Sequence, residues 1–191
     1  MKGGISFVNH ILLIIGSPAS GKSTISKEIA KRSTKGLHIP VDDLRTMVQG
    51  GVVHPGVPGW PPELVRQLEL ARQTAIDMAI RYCESDFLVA IDDFCDPHSH
   101  LQEYAPLIHI PNVTKVILRP SVNATIARLH ARQAPSTFRN VLDDAIKWVN
   151  TELDKNGEAL IKQGWHVMDT SNDTIERSVG RIQALFGNSA G

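Results

Sequence analysis

His10-Ile11-Leu12-Leu13-Ile14-Ile15-Gly16-Ser17-Pro18-Ala19-Ser20-Gly21-Lys22-Ser23-Thr24-Ile25 is the stretch from which the rest of the chain can be read. Ile11–Ile15 is an unbroken apolar run, the pattern of a short strand covered on both faces. Gly16–Ser23 then fits G-x-x-x-x-G-K-[ST], and the residues up to Arg32 carry apolar side chains at helical spacing. Strand, glycine-rich turn and helix is the context in which that pattern marks a phosphate-binding loop. Glycines leave backbone N–H groups free to wrap an anion, and the helix start adds a partial positive charge at the same place. In such a loop Gly16, Ser17, Pro18, Ala19, Ser20, Gly21 and Thr24 cradle the phosphates of a nucleoside triphosphate. Lys22 reaches the β- and γ-phosphates, and Ser23 holds a magnesium ion through its hydroxyl. The alternative is a glycine-rich turn that only packs a helix on a sheet.

Working outward, the 191 residues suit one domain, 1–191, with 42% hydrophobic and 21% charged side chains. A formal net charge of zero supplies no global field for a nucleic-acid backbone or a membrane surface. Two cysteines, Cys83 and Cys95, make no disulfide framework, and the expectation is a reduced, cytoplasmic protein. The apolar run at 11–15 is too short for a signal peptide or a membrane span.

Five apolar runs alternate with helical patterns: Ile11–Ile15, Leu37–Val41, Phe87–Ile91, Lys115–Leu118 and Trp165–Met168. Helices are expected near 22–33, 62–84, 121–133, 138–162 and 173–186. The 62–84 segment carries Leu64, Leu68, Ala71, Ala75, Ala79 and Tyr82 along one stripe, with Pro61-Pro62 at its start. Strands alternating with helices predict an α/β fold with a parallel sheet. The Gly/Pro-rich stretch 50–62 breaks the rhythm, and Val52, Val53, His54 and Trp60 make it a candidate substrate-lining loop.

The second strand runs into Asp42-Asp43-Leu44-Arg45, and strand ends of this kind face the ligand crevice. A carboxylate there can take the proton of an attacking hydroxyl, and an arginine one turn on can clamp an anion or orient that carboxylate. Asp42 is favoured over Asp43 because Arg45 lies three residues on; a plain helix start with Asp42 as N-cap is compatible with this. Phe87–Ile91 ends in Asp92-Asp93, the shape of a Walker B segment, and either acid can reach the magnesium shell or a substrate hydroxyl. Cys95, Asp96, His98 and His100 lack a second ligand pair for a zinc site. Arg119, Arg128 and Arg132 form the last group, with Arg128 and Arg132 four apart on one helix face. Gln133–Thr137 interrupts that helix, as in a small hinged lid spanning about 128–140. The turn Asp169–Asp173 is either an adenine-facing loop or an N-cap supplied by Ser171 or Asn172.

In this order the motifs resemble the P-loop kinases related to nucleoside monophosphate kinases, and most of all the 5′-hydroxyl kinase module of polynucleotide kinases. The resemblance is carried by Gly16–Ser23, by Asp42-Asp43-Leu44-Arg45 as a D-D-x-R tetrad, by Ile91-Asp92 with Pro97 after it, and by Arg128 and Arg132 at lid spacing. It implies a three-layer α/β/α fold around a five-stranded parallel sheet of order 2-3-1-4-5 with a small helical lid. It also implies Asp42 as general base, Arg45 and Asp92 on the acceptor and Arg132 on the transferring phosphoryl group; Asp43 in the tetrad and Trp60 in the 50–62 loop are further candidate acceptor contacts, and Arg128 is a candidate nucleotide contact. Related kinases phosphorylate gluconate, shikimate, chloramphenicol or sugar nucleotides. The 50–62 insertion, the neutral charge and the lack of a D-x-D-G phosphatase motif depart from the polynucleotide enzymes. The expectation is thus an ATP- and Mg²⁺-dependent phosphotransferase acting on a hydroxyl-bearing small molecule or a nucleic-acid 5′ end, away from membranes. A nucleotide-binding switch is the rival of another class, and the chain carries no N-K-x-D guanine-reading signature.

Overall fold

The strands form where the apolar runs predict. A computed structural model describes residues 9–54, 61–94, 101–108, 110, 112–131 and 136–186. Strands β1 (His10–Gly16), β2 (Gly36–Pro40), β3 (Leu88–Asp93), β4 (Val113–Leu118) and β5 (Trp165–Met168) pair in parallel in the order β2-β3-β1-β4-β5. Helices α1 (Lys22–Arg32), α2 (Val41–Thr46), α3 (Pro62–Cys83), α4 (Ala105–Ile108), α5 (Val122–His130), α6 (Ser136–Lys162) and α7 (Ile175–Gln183) connect and cover them. The expected α/β/α architecture and strand order are found.

Alternation along each strand explains the unbroken hydrophobicity. Ile11, Leu13, Ile15, Ile39, Val89, Ile91 and Ile117 fall on one face, packed with Ala71, Ala75 and Ala79 of α3 and Val149 and Leu153 of α6. Leu12, Ile14, Leu88, Ala90, Val116 and Leu118 fall on the other, against Ile25 and Ile29 of α1 and Val179 and Ile182 of α7. Side chains of a strand alternate between faces, so a strand with helices on both sides needs apolar residues throughout. A third cluster, Ala19, Leu129 and Ile146 with Val122, Ile126 and Leu142, seats α5 and the start of α6 against the turn after β1. Helix α6 has 27 residues, about 40 Å at 1.5 Å per residue, so it reaches from that cluster into the main core.

Several boundaries differ from expectation. The second strand stops at Pro40 because proline donates nothing to the ladder, and Val41 begins α2. Pro40, not Asp42, is therefore the N-cap residue, with Asp42 and Asp43 in the first turn where the helix dipole favours acids. Leu101–Tyr104 forms a 3-10 turn that leads into α4, where a polar loop and a short helix starting at Pro97 are expected; Pro97 itself lies outside the described residues. The stripe of α3 closes on buried Cys83, while Tyr82 is 39% exposed with its ring edge-on to Phe87 at 5.2 Å. Helix α5 ends at His130, short of Arg132. Helix α7 is capped by the Thr174 hydroxyl, which accepts from Arg177 N at 3.2 Å, in place of Ser171 or Asn172.

His10 is a polar residue inside the α1/α7 face. Its Nε2 bonds Thr114 Oγ1 at 2.8 Å and its ring packs on Phe186 at 4.3 Å between centroids. Burial lowers its pKa from 6.5 to about 4. The unfolded chain therefore takes up a proton near pH 6.5 that the folded chain refuses until about pH 4. His10 is expected to withdraw roughly 3 kcal/mol of stability as pH falls through this window. Urea denaturation of the wild type and of His10→Gln at pH 7.5 and 4.5 checks this. The wild type should lose ground to the variant between the two pH values; parallel curves would refute it.

Candidate active site

Register places the ends of four strands in one layer. Ile15 pairs with Asp93, Gly16 with Leu118 and Pro40 with Asp92, so the loops after β1, β2 and β3 leave the sheet side by side. The first of them is the glycine-rich loop. A Cβ on Gly16 would lie 2.6 Å from Leu118 O, so only glycine lets the chain turn there. Gly21 caps α1 at φ +102° without a side-chain bond, and no acid stands in the first turn of the helix. That leaves the helix's first N–H groups and its positive end for an anion. Lys22 opens the helix, is buried, and donates from Nζ to Ser17 O at 2.9 Å. Ser17 and Ser20 are buried as well, and Ser20 Oγ has no hydrogen-bond partner among the described residues.

Alternation decides between the two acids of β3. Leu88, Ala90 and Asp92 face α1, whereas Val89, Ile91 and Asp93 face α3. Asp92 Oδ1 accepts from Ser23 Oγ at 2.7 Å, and its Oδ2 meets His38 Nε2 at 2.5 Å. Asp93 is buried on the opposite side, where it accepts from Arg72 Nε at 2.7 Å and Tyr104 OH at 2.9 Å. Burial pushes the Asp93 carboxyl up, Arg72 and Tyr104 pull it back, and the charge of Asp42 pushes it up a little further. Arg72, 2% exposed, also reaches Glu103 at 2.9 Å and Phe94 O at 3.2 Å. Ser23 and Asp92 thus bring two oxygen ligands together at the loop, a donor set that suits magnesium. Asp93 is spent on a buried ion pair. Among the described residues no group of three His, Cys, Asp or Glu could hold a metal.

The tetrad after β2 is divided in the same way. Asp42 and Asp43 are exposed, while Arg45 is buried. Arg45 Nη1 donates to Val53 O at 3.1 Å, so the hydrogen bond observed holds a loop rather than Asp42; Nε is buried without a partner among the described residues. Gln67 of α3 completes the hold, accepting from Val53 N at 3.0 Å and donating to Gly51 O at 2.8 Å. The first part of the 50–62 stretch is therefore docked on α2 and α3. Trp60 lies outside the described residues, as do Arg132, Cys95, Asp96, Pro97, His98 and His100.

Arg128 crosses to the turn after β5, where Nη2 donates to Thr170 O at 2.6 Å and Ser171 O at 3.2 Å. With Gly21, Thr24, Thr170, Asp173 and Thr174 it lines a cleft of about 200 Å³ beside the start of α1. The Thr170 hydroxyl is buried there without a partner among the described residues. The turn is itself braced: Asp169 Oδ1 accepts from Ser171 N and Oγ at 2.8 and 2.5 Å, which holds its carboxyl below the usual range. Arg119 stands apart, paired with Asp154 of α6.

No protein-family model matches this sequence, and no curated protein is significantly similar to it. Solved structures are similar in shape. Shikimate kinase from Bacteroides thetaiotaomicron superposes with a TM-score of 0.57 at 14% identity over 93% of this chain and 98% of that one. The tunicamycin resistance protein of Deinococcus radiodurans gives 0.62 at 16% identity over 93% and 96%. A gluconokinase from Sinorhizobium meliloti 1021 gives 0.54 at 16% identity over 94% and 95%. The chain has the P-loop kinase fold. Within that fold Asp42 follows the end of β2, Asp92 lies at the end of β3 beside Ser23, and Arg128 reaches the turn after β5 next to Thr24.

Sequence reasoning missed His38, Gln67, Arg72 and Tyr104. Arg72 left a signal, a charge inside the apolar stripe between Leu68 and Ala75, where only a paired ion can sit. Arg72→Met should leave the Asp93 carboxylate buried without its guanidinium and cost about 3–5 kcal/mol. The urea midpoint reads this directly, at an unchanged m-value. A loss under 1 kcal/mol would show that the pair contributes little.

Proposed function

We propose that the protein is an ATP- and magnesium-dependent phosphotransferase that moves the γ-phosphoryl group of ATP to the hydroxyl of a small-molecule acceptor. The observation that carries this is the Ser23–Asp92 contact of 2.7 Å at the mouth of the phosphate loop, on the same sheet edge as Asp42. A loop that only packed a helix on a sheet would need neither oxygen there.

The β- and γ-phosphates rest on the backbone of Gly16–Gly21 and on the N-terminus of α1, with Lys22 drawn from Ser17 O onto the γ-phosphate side. Ser23 and Asp92 would hold magnesium, which when bound offsets the charge between those phosphates. Asp42 accepts the acceptor's hydroxyl proton as its oxygen bonds the γ-phosphorus. The bond from that phosphorus to the β–γ bridging oxygen breaks, and ADP leaves with the electron pair. Arg132 is the lid cation proposed for the phosphoryl group in transit, and Arg128 with the 170–174 turn embraces the nucleoside.

A small acceptor is supported by the segment Gly51–Val53, which Arg45 and Gln67 hold close after α2, and by the neutral net charge. Kinases named for shikimate and gluconate share the fold. The D-D-x-R tetrad favours a second reading, a nucleic-acid 5′-hydroxyl acceptor. Domain extent 1–191 and Asp43 as a further acceptor contact belong to the same proposal.

Acceptor-dependent ADP release with Mg-ATP tests the reading, using gluconate, shikimate, sugars, nucleosides, phenicol antibiotics and 5′-hydroxyl oligonucleotides. A small molecule should stimulate release; stimulation by oligonucleotides alone would select the second reading. Lys22→Ala should abolish the rate. Asp42→Asn should lower kcat about 10²–10⁴-fold at unchanged nucleotide affinity. Nucleotide binding without stimulation by any acceptor would favour a switch.

A further inference from the structure

His38 reaches Asp92 from β2, and neither the glycine-rich loop nor the acid tetrad accounts for that contact. It stands in the middle of β2, level with Ala90 of β3, and therefore on the face that Asp92 shares with Leu88 and Ala90. Its imidazole leans one pleat along the sheet, so that Nε2 lies 2.5 Å from Asp92 Oδ2. The pair is mostly shielded, with side-chain exposures of 17% and 6%. Asp92 Oδ1, the other oxygen of the same carboxylate, accepts from Ser23 Oγ at 2.7 Å. One carboxylate thus joins β2 to the first turn of α1, each oxygen taken by a different element.

The consequence is geometric. The terminal torsion of an aspartate is broad, so an untethered carboxylate turns readily about its own axis. A carboxylate accepts from Nε2–H, which fixes the imidazole tautomer and holds Oδ2 on the β2 side. Oδ1 then stays beside the serine hydroxyl. Groups that hold a metal's carboxylate ligand from behind control affinity for the metal without touching it.

We infer that His38 is a positioning residue for the magnesium-bearing nucleotide: by holding Asp92 Oδ2 on β2 it keeps Oδ1 beside Ser23. This rests on the phosphotransferase reading above. It predicts a selective effect, since His38 contributes to the metal-dependent part of nucleotide affinity and nothing to the part that the phosphate loop supplies alone.

Calorimetric titration of the full chain with ADP, once in EDTA and once in saturating Mg²⁺, separates the two parts. The wild type should bind more tightly with the metal. His38→Ala should lose about 10-fold or more of the Mg·ADP affinity, the range seen for such supporting groups, and stay within about 2-fold of wild type in EDTA. A pair of amides distinguishes reach from packing. His38→Gln brings its nitrogen to where Nε2 sits and should retain the metal-dependent gain, while His38→Asn falls short and should lose it. This comparison stands even if the alanine variant does not fold. An undiminished gain in His38→Asn, or an equal loss in both buffers for Asn and Gln alike, overturns the inference and leaves the phosphotransferase reading intact. Failure of the wild type to bind ADP in either buffer overturns both.

Discussion

β1 turns out of the sheet at Gly16 with the Leu118 carbonyl so near that no side chain fits between them, and the site is built from that turn. Because β1 lies at the centre of the sheet, its end is flanked by β3 on one side and β4 on the other. The loop that follows therefore opens between Asp92 and the start of α5, and α1 comes back along the face that carries Leu12 and Ile14. Ala19, held at φ +58°, tucks its methyl against Leu129 and Ile146, so the tip of the loop is also the footing of the α5–α6 pair. A parallel sheet brings all its carboxyl ends to one edge, which is why residues far apart in sequence meet there.

The polar groups at that edge obey the same alternation as the core. Two adjacent acids, identical in type, are sent to opposite faces and acquire different surroundings. Asp92 meets a hydroxyl and an imidazole beside the glycine-rich loop, whereas Asp93 is enclosed with a guanidinium and a phenol. Only a carboxylate of the first kind retains acceptor capacity for a ligand. A buried ion pair of the second kind ties α3 and the 3-10 turn to β3 and has little to offer a reaction.

The fold was legible because it depends on patterns internal to each segment: unbroken apolar runs, helical spacing at Leu64–Ala79, a glycine-rich turn. The loop residues were legible for the same reason, since Gly16–Ser23 is contiguous. His38 was not, because what makes it interesting is Asp92, 54 residues away and on another strand. Gln67 was hidden likewise, as a polar residue in an amphipathic helix whose importance lies in the peptide of Val53. Arg45 was singled out for an anion or for Asp42, and the contact it makes is to a backbone carbonyl. Which of Asp92 and Asp93 serves the loop could not be settled from an adjacent pair until the pairing of β3 fixed the phase of its pleat. The helix ends moved by a residue or three where a proline or a hydroxyl outside the apolar pattern decided the cap.

Arg45, Gln67, Arg72 and Asp93 all sit with α2 and α3 on one side of the sheet, while Lys22, Thr24, Thr170 and Asp173 sit with α1 and α7 on the other. The sheet is the partition between them. Substitutions around α2, α3 and the segment they hold can accumulate without disturbing the side built by α1 and α7. In a chain organised like this, drift in one half leaves the other half's geometry standing.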